Sequence, residues 1–451
     1  MTTDLTIVAG DEIWDALGAA ASGVLGARRD SDGTVCVLGP DIALGPEEYV
    51  LRKEDGVTVV RAGSAAGAFR ALTRIRRGDH PADVYRDAPA HPWRGLMLDV
   101  ARWFVPVEEL IVLIDQLAAR RLNVLHLHLT DDQGWRIPIP GWSRLTEIGA
   151  WRDGTTTRGA PIEGAPDPRA DDDWGHGHRH DGVRHGGHYT RADLERVVAY
   201  AAERFVTVVP EIDLPGHMQA AIAAYPQLGV GAPDLPVATR FGLGPNLLAP
   251  TTEVERFIGD VLDEVCDIFP GTHVHVGGDE PRLETWRQDP VSIARAAELG
   301  LPDTDALRRW FVDIAASRLR GRGRTALYWY DGEVLSEEAI AVSWLADDGG
   351  VAAARRGAQV ITADHTRTYL NYFARDDDTN PFACGIVLDE ARAARFRAVP
   401  EMTDDELAGA FLGGQAQLWT EYAPHREARE SLLFPRLDLI AEALWNGGSH
   451  P

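Results

Sequence analysis

Residues 93–136 read WRGLMLDVARWFVPVEELIVLIDQLAARRLNVLHLHLTDDQGWR, and this stretch decides the fold. Gly95–Val100 and Val124–Leu129 are short apolar runs of strand length, and Val107–Arg120 between them repeats its apolar positions every three to four residues. A strand, a helix and a second strand in that order form a parallel unit, because joining parallel strands needs a crossover. Each strand run also ends in polar residues: Asp99 with Arg102 and Trp103 after the first, His128, Asp131 and Asp132 after the second.

The alternation continues along the chain. Strand-like runs recur at Val206–Ile212, His273–Val276, Ala326–Tyr330, Ala341–Leu345, Gln359–Ala363 and Gln415–Trp419. Helical patterns recur at Arg191–Arg204, Thr252–Ile268, Thr304–Leu319 and Asp404–Ala410, and Thr190 with Asp193 fits a helix cap. Strands alternating with helices predict a (β/α)8 TIM barrel of the α/β class with long loops. A doubly wound sheet is the alternative, weakened because no Gly-rich phosphate loop follows the first strand. Before the barrel, the strand runs Thr34–Leu38 and Val57–Ala62 and the helical Ser64–Arg77 predict a small α/β domain. Gly78–Pro92 reads as a linker, which places a non-catalytic domain at 1–88 and a catalytic barrel at 89–451.

With 45 Lys and Arg against 69 Asp and Glu, the 451-residue chain carries a formal charge of −24. A nucleic-acid partner is excluded on that balance, since phosphate neutralisation needs a basic face. Docking on an anionic membrane is disfavoured for the same reason, and no long uncharged apolar run predicts a membrane span. Three scattered cysteines give neither a disulfide framework nor a zinc module. The opening MTTDLTIVAGDEIWDALG has no basic and apolar leader pattern, so the expected location is cytoplasmic, with secretion open to a form whose leader was removed.

In a barrel of this kind the chemistry sits at the C-terminal strand ends. Those ends carry Glu211, Asp213 and His217, then Gly277–Gly278–Asp279–Glu280, Trp329, Ser343–Trp344, Asp364–His365 with Tyr369 and Asn371, and Trp419 with Glu421. A single such carboxylate is as often a helix cap or an arginine partner as a functional group. Acids and indoles gathered at every strand end, without the lysines of a phosphate site, suit a neutral sugar ring. In the GGDE stretch the glycines let backbone approach a ligand. Two adjacent acids do not form the usual glycosidase pair, whose carboxyl groups lie about 5 Å apart across the bond. One acid/base and one carboxylate with another task are expected instead.

The stretches RGLMLDVAR, NVLHLHLTDDQGWR, VPEIDLPGH, HVGGDE, GGQAQLWTEY and FPRLDLIAEALW, in this order, resemble the β-N-acetylhexosaminidases of glycoside hydrolase family 20 from about Trp93 to Trp445. The resemblance implies a retaining exo-glycosidase that removes terminal non-reducing β-linked GlcNAc or GalNAc, from a chitooligosaccharide or other glycoconjugate, with no cofactor and no metal. It implies Glu280 as general acid/base, and Asp279 as the carboxylate holding the N–H of the 2-acetamido group. That group's carbonyl oxygen attacks C1 in the enzyme's stead and forms an oxazolinium, a substrate-assisted exception to the two-carboxylate scheme. Tyr369 would align the carbonyl oxygen, and the Asp131–His217 pair would orient and tune the glutamate. Arg102 and Glu421 would grip ring hydroxyls, and Trp329, Trp344 and Trp419 would wall the pocket.

Two positions depart from the family pattern. Trp103 stands where a histidine often follows the gripping arginine, and Asn371 where many members have an aspartate against the C6 hydroxyl. Asparagine binds a hydroxyl through its amide and lacks the charge that repels a 6-sulfate or 6-phosphate. The alternatives are a lacto-N-biosidase-like relative releasing a disaccharide, and a silent N-acetylhexosamine receptor. Retention of Asp279, Glu280 and Tyr369 together argues against the receptor. The Gly- and His-rich stretch Gly154–His188, with His176, His178, His180, His185 and His188, is read as a lid or solvated loop. Its spacing fixes no metal geometry.

Overall fold

The computed structural model describes residues 5–78, 84–161, 176–346, 348–376 and 380–448. Eight parallel strands close into a barrel in sequence order: β1 Trp93–Asp99, β2 Val124–His128, β3 Thr207–Leu214, β4 His273–Gly277, β5 Thr325–Tyr330, β6 Ile340–Ser343, β7 Val360–Thr362 and β8 Phe411–Leu418. β8 pairs with β1 from Gly413↔Trp93 to Leu418↔Leu98, which seals the ring and removes every strand edge. Closure excludes the doubly wound alternative. All eight strand runs expected from sequence are barrel strands, shifted by a few residues at their ends, where pairing rather than hydropathy sets the limits.

Alternation along the strands builds two cores. Leu96, Leu98, Leu125 and Leu127 face outward and pack with the helices, among them Val107–Ala119 and Thr252–Ile268. Met97, Val124, Val209, Leu327, Trp329, Ile340, Val342 and Ile361 fill the barrel interior as a separate cluster. Each fully buried aliphatic or aromatic side chain of this kind contributes roughly 1.5–3 kcal/mol. The outer helices are punctuated as their sequence dictates. Thr190 and Asp193 form a reciprocal capping box at the start of Arg191–Ala202, and the Thr251 hydroxyl accepts from the Val254 N–H at 3.3 Å. Among the described residues, no helix is long and apolar enough to cross a membrane.

Ahead of the barrel lies a six-stranded mixed sheet with helices at Asp11–Leu25 and Ala65–Arg76. It is larger than the sequence suggested. Thr6–Ala9 and Tyr49–Glu54 are further strands, and Tyr85–Asp87, inside the expected linker, pairs with Tyr49–Leu51 as the last strand. A strand of three residues leaves too short a pattern to read. The stretch after β2 also differs from a plain loop, because Thr156–Pro161 pairs antiparallel with His176–His180. Residues 162–175 of the expected lid lie outside the described residues.

A buried ion cluster fastens the small sheet to the base of the barrel. Glu47 accepts from Arg70 at 2.9 Å and from Arg94 of β1 at 2.7 and 2.9 Å, and both arginine side chains are fully buried. Arg70 reaches on to the Phe205 carbonyl at 3.2 Å. Burial alone would raise the Glu47 carboxyl, but attraction to Arg70 and Arg94 outweighs it and holds the group below its usual range. Glu47→Ala leaves two buried guanidinium groups without their anion. It is expected to lower unfolding free energy by about 3–5 kcal/mol in denaturant titrations at pH 7. Because the folded carboxyl is depressed, the gap between wild type and variant should be full above the ordinary value of 4.5 and close as pH falls through the folded value.

Candidate active site

The turn after β4 is the most constrained backbone in the barrel mouth. Gly277 and Gly278 have φ of 68° and 96°, and Glu280, with a side chain, is held at 46°. A Cβ on Gly277 would lie 1.7 Å from Asp213 Oδ1, so only glycine lets β3 and β4 end side by side here. A left-handed Glu280 costs on the order of 1–3 kcal/mol, and such strain persists only where the surroundings enforce it. Arg308, from the helix Leu307–Gly321, supplies part of that enforcement. Its Nε donates to the Gly278 carbonyl at 2.7 Å, and its guanidinium is paired with Asp331 beyond β5.

This turn presents the two acids differently. Asp279 is mostly enclosed, and its buried Oδ1 has no hydrogen-bond partner among the described residues. Glu280 stands at the rim where solvent reaches it, yet the surrounding protein removes enough water to matter. That burial, followed by the charge of Asp279, pushes the Glu280 carboxyl up to about 7. Burial also raises Asp279, against the pull of His217. Asp213, fully enclosed beneath them, is held well above the carboxylate range by burial and then by Asp279.

Opposite the turn, Arg102 organises the other wall. It donates to Asp99 Oδ2 at 3.1 Å and to Gln133 at 2.9 Å, pairs with Asp131 Oδ2 at 2.8 Å, and reaches Glu421 at 3.9 Å. His217, itself at a φ of 53°, places Nδ1 3.3 Å from Asp131 Oδ1 and Nε2 4.0 Å from Asp279 Oδ2. Its nearest acid at the turn is therefore Asp279, with Glu280 in the same cluster. Burial raises Glu421, against the pull of Arg102.

The aromatic residues complete the enclosure. Trp329 and Trp419 lie 5.9 Å apart, Tyr369 lies 6.2 Å from Trp419, and the Trp329 indole N–H donates to Glu211 at 2.6 Å. Burial holds the Tyr369 hydroxyl protonated well above its usual range, so it is available as a donor. Trp344 extends the wall beside His365 at 6.0 Å. The buried Asn371 amide donates to Cys384 Sγ at 3.2 Å. Trp344 Nε1, Asn371 Oδ1 and Glu421 Oε2, like Asp279 Oδ1, are buried polar atoms with no hydrogen-bond partner among the described residues. Each is costly to leave unpaired, and together they fit a ligand bearing several hydroxyl and amide groups.

Sequence reasoning placed His128 and Glu211 at strand ends but did not foresee the polar floor they build beneath this pocket. His126, His128, Glu211 and His275 are fully buried, and each histidine has a ring nitrogen within 3.1 Å of the Glu211 carboxylate. The signal was the two-residue spacing of His126 and His128, which puts both inside the barrel if β2 is a strand. His126, Glu211 and His275 are also close enough to hold a cation, although Glu211 already accepts from the indole of Trp329. In the His-rich stretch, His185 Nε2 accepts from the Phe104 N–H at 3.1 Å, and its ring packs 4.6 Å from Trp103. The Trp103 indole in turn donates to the Glu421 carbonyl at 3.1 Å. This histidine therefore supports the pocket wall.

Residues 91–448 match the family model described as glycosyl hydrolase family 20, catalytic domain. The chain belongs to glycosyl hydrolase family 20. It is 33% identical to a beta-hexosaminidase of Porphyromonas gingivalis over 92% of this chain and 53% of that protein. It is 34% identical to a beta-hexosaminidase of Vibrio furnissii over 90% of this chain and 66% of that one. The chain thus spans between half and two thirds of the length of these relatives. A family 20 exo beta-N-acetylglucosaminidase from Vibrio harveyi, solved in complex with N-acetylglucosamine, superposes with a TM-score of 0.81 at 28% identity, covering 99% of this chain and 71% of that one.

For this family 20 chain, the electrostatics of the turn give a direct test. Asp279→Asn removes the like charge beside Glu280, so the Glu280 carboxyl should titrate below the value near 7 that it has in the wild type. Carboxyl-carbon NMR of glutamate-labelled protein reads the shift. An unchanged Glu280 titration would mean that the charge of Asp279 does not contribute to its proton affinity.

Proposed function

We propose that the chain is a retaining exo-glycosidase that removes terminal non-reducing β-linked N-acetylhexosamine by substrate-assisted catalysis. One observation carries the reading: an acid holding its proton up to about pH 7, Glu280, sits beside Asp279, whose buried Oδ1 lacks a donor. A 2-acetamido N–H supplies the missing donor. Family membership and the N-acetylglucosamine held by the Vibrio harveyi relative support the same substrate class.

The proposed reaction runs in two steps. Glu280 gives its proton to the glycosidic oxygen as the C1–O bond breaks. The acetamido carbonyl oxygen, aligned by the Tyr369 hydroxyl, bonds to C1 and forms the oxazolinium, while Asp279 accepts the N–H and offsets the positive charge. Holding the attacking atom within the substrate removes a bimolecular encounter, an advantage of about 7–11 kcal/mol at best. A water then attacks C1 from the vacated side as the bond from C1 to the acetamido oxygen breaks and the acetamide is restored. The water gives its proton to Glu280, so configuration is retained and both carboxyl groups return to their starting states. Arg102 and Glu421 bind ring hydroxyls, Asn371 contributes its amide, and Trp329, Trp344 and Trp419 stack on the sugar and enclose the acetamido methyl.

Initial rates on aryl N-acetyl-β-glucosaminide and galactosaminide against the plain aryl β-glucoside test the reading. The acetamido sugars should turn over and the glucoside should be nearly inert. Comparable hydrolysis of both would refute substrate assistance. A thiazoline mimic of the cyclised intermediate should inhibit tightly. Glu280→Gln should lose about 10²–10⁴-fold on substrates with poor leaving groups and much less on activated aryl substrates. Because the acid must be protonated to act, wild-type kcat/KM on poor leaving groups should fall as pH rises through about 7.

A further inference from the structure

Beneath the pocket, acids and imidazoles alternate in one connected line. Glu211 Oε2 lies 2.6 Å from His128 Nδ1, and His128 Nε2 lies 3.0 Å from Asp131 Oδ2. The line continues from Asp131 Oδ1 to His217 Nδ1 at 3.3 Å, and from His217 Nε2 to Asp279 Oδ2 at 4.0 Å. The barrel register creates the first link, because His128 and Glu211 are direct partners on β2 and β3. His128 is fully buried.

Both ring nitrogens of His128 face carboxylate oxygens, whereas a neutral imidazole has one N–H and would set a lone pair against the other acid. Either His128 is an imidazolium or one of its partners is protonated. The other contacts decide between these. Glu211 also accepts from the Trp329 indole N–H at 2.6 Å, and His126 Nε2 lies 3.1 Å from it, while His275 Nδ1, at 3.0 Å, accepts the Gly277 N–H and gives Glu211 no proton. Asp131 also faces Arg102 at 2.8 Å and the Asp132 N–H at 2.6 Å. With so many donors aimed at them, both acids stay ionised and the proton belongs to His128. Burial opposes that charge, but the attraction of Glu211 and the bond to Asp131 outweigh it and hold the ring charged well above its usual range.

We propose that His128 is a positioning residue: a permanent buried imidazolium that fixes the Asp131–His217 pair and supplies positive charge to the acids at the turn after β4. This extends the function proposed above and rests on it. The groups facing this end of the line are also charged or titratable. His217 lies 3.9 Å from Asp132 and close to Asp213, and Glu280 is influenced by Asp279, Asp331 and Arg102. Removing a cation from so acidic a surround destabilises every neighbouring carboxylate. Asp279 and Glu280 should both hold their protons to higher pH.

The test is the pH profile of kcat/KM for His128→Gln against wild type, with thermal unfolding measured in parallel. Asp279 must be ionised and Glu280 protonated, so both limbs should move to higher pH by about half a unit or more. A loss of rate with limbs that stay in place would overturn the proposal and leave His128 a packing residue. Should that variant not fold, Glu211→Gln removes an anion from the same line and keeps an acceptor for Trp329. Its limbs should then lie at or below those of wild type, and limbs above them would overturn the proposal. Histidine ¹⁵N NMR of the wild type gives a readout independent of turnover. His128, assigned by a single-residue variant, should remain doubly protonated at pH 8, and a neutral ring there refutes the inference. Failure of the wild type to cleave N-acetylhexosaminides would refute the functional reading while the ¹⁵N result still decides the charge of His128.

Discussion

The Arg102–Asp131 ion pair, 2.8 Å long and almost entirely buried, is the contact on which the barrel mouth depends. Around it lie Asp99, Asp132, Glu211, Asp213, Asp279, Glu280 and Glu421, an excess of acids that few cations balance. Charges so placed are costly unless paired or neutralised by a proton. Arg102 answers for Asp99, Asp131 and, at longer range, Glu421, and it is held charged against burial by those acids. The acids left over keep protons: burial pushes Asp132 up to about 6 and Glu280 up to about 7, and it lifts Asp213 well above its usual range. A proton available near neutrality thus follows from a charge balance that the whole strand-end layer enforces.

The same region stores backbone strain. His217 and Glu280 both have left-handed backbones, and both carry titratable side chains at the barrel mouth. Their conformations are held by neighbouring side chains, such as Arg308 on the Gly278 carbonyl and Asp131 on the His217 ring. Rigid supporting contacts of this kind keep a preorganised site from relaxing toward cheaper geometry. At the opposite end of the barrel, Glu47, Arg70 and Arg94 tie the small sheet to β1. Fold stability and site chemistry are therefore carried by separate buried ion clusters at the two ends of one barrel.

Much of this architecture was legible along the chain. Every barrel strand announced itself as a short apolar run with polar residues at its end, because strand faces must bury and strand ends must bear function. Gly277 and Gly278 were read as letting backbone approach a ligand, whereas in the structure it is the Asp213 side chain that crowds Gly277, and Leu335 and Val312 that lie against Gly278. Short elements escaped notice: Tyr85–Asp87 carries too few residues for a period, and its strand identity comes from pairing with Tyr49–Leu51. The His-rich stretch suggested a loop, whereas its described ends pair as strands, since backbone pairing tolerates a composition that gives no hydropathy signal.

The sequence by itself determined the alternation of strand and helix, and the residue types at each strand end, because hydrophobic periodicity and side-chain chemistry are local properties. It also held the long ordered motifs that mark family 20. Only the tertiary structure decided that the ring closes through β8 and β1, and that His128, Glu211 and His275 fall side by side on successive strands. Register between strands far apart in the chain sets such neighbours, and no local pattern encodes it. The proton affinity of Glu280 is likewise a tertiary property, since it arises from burial and from charges that four different strands bring together.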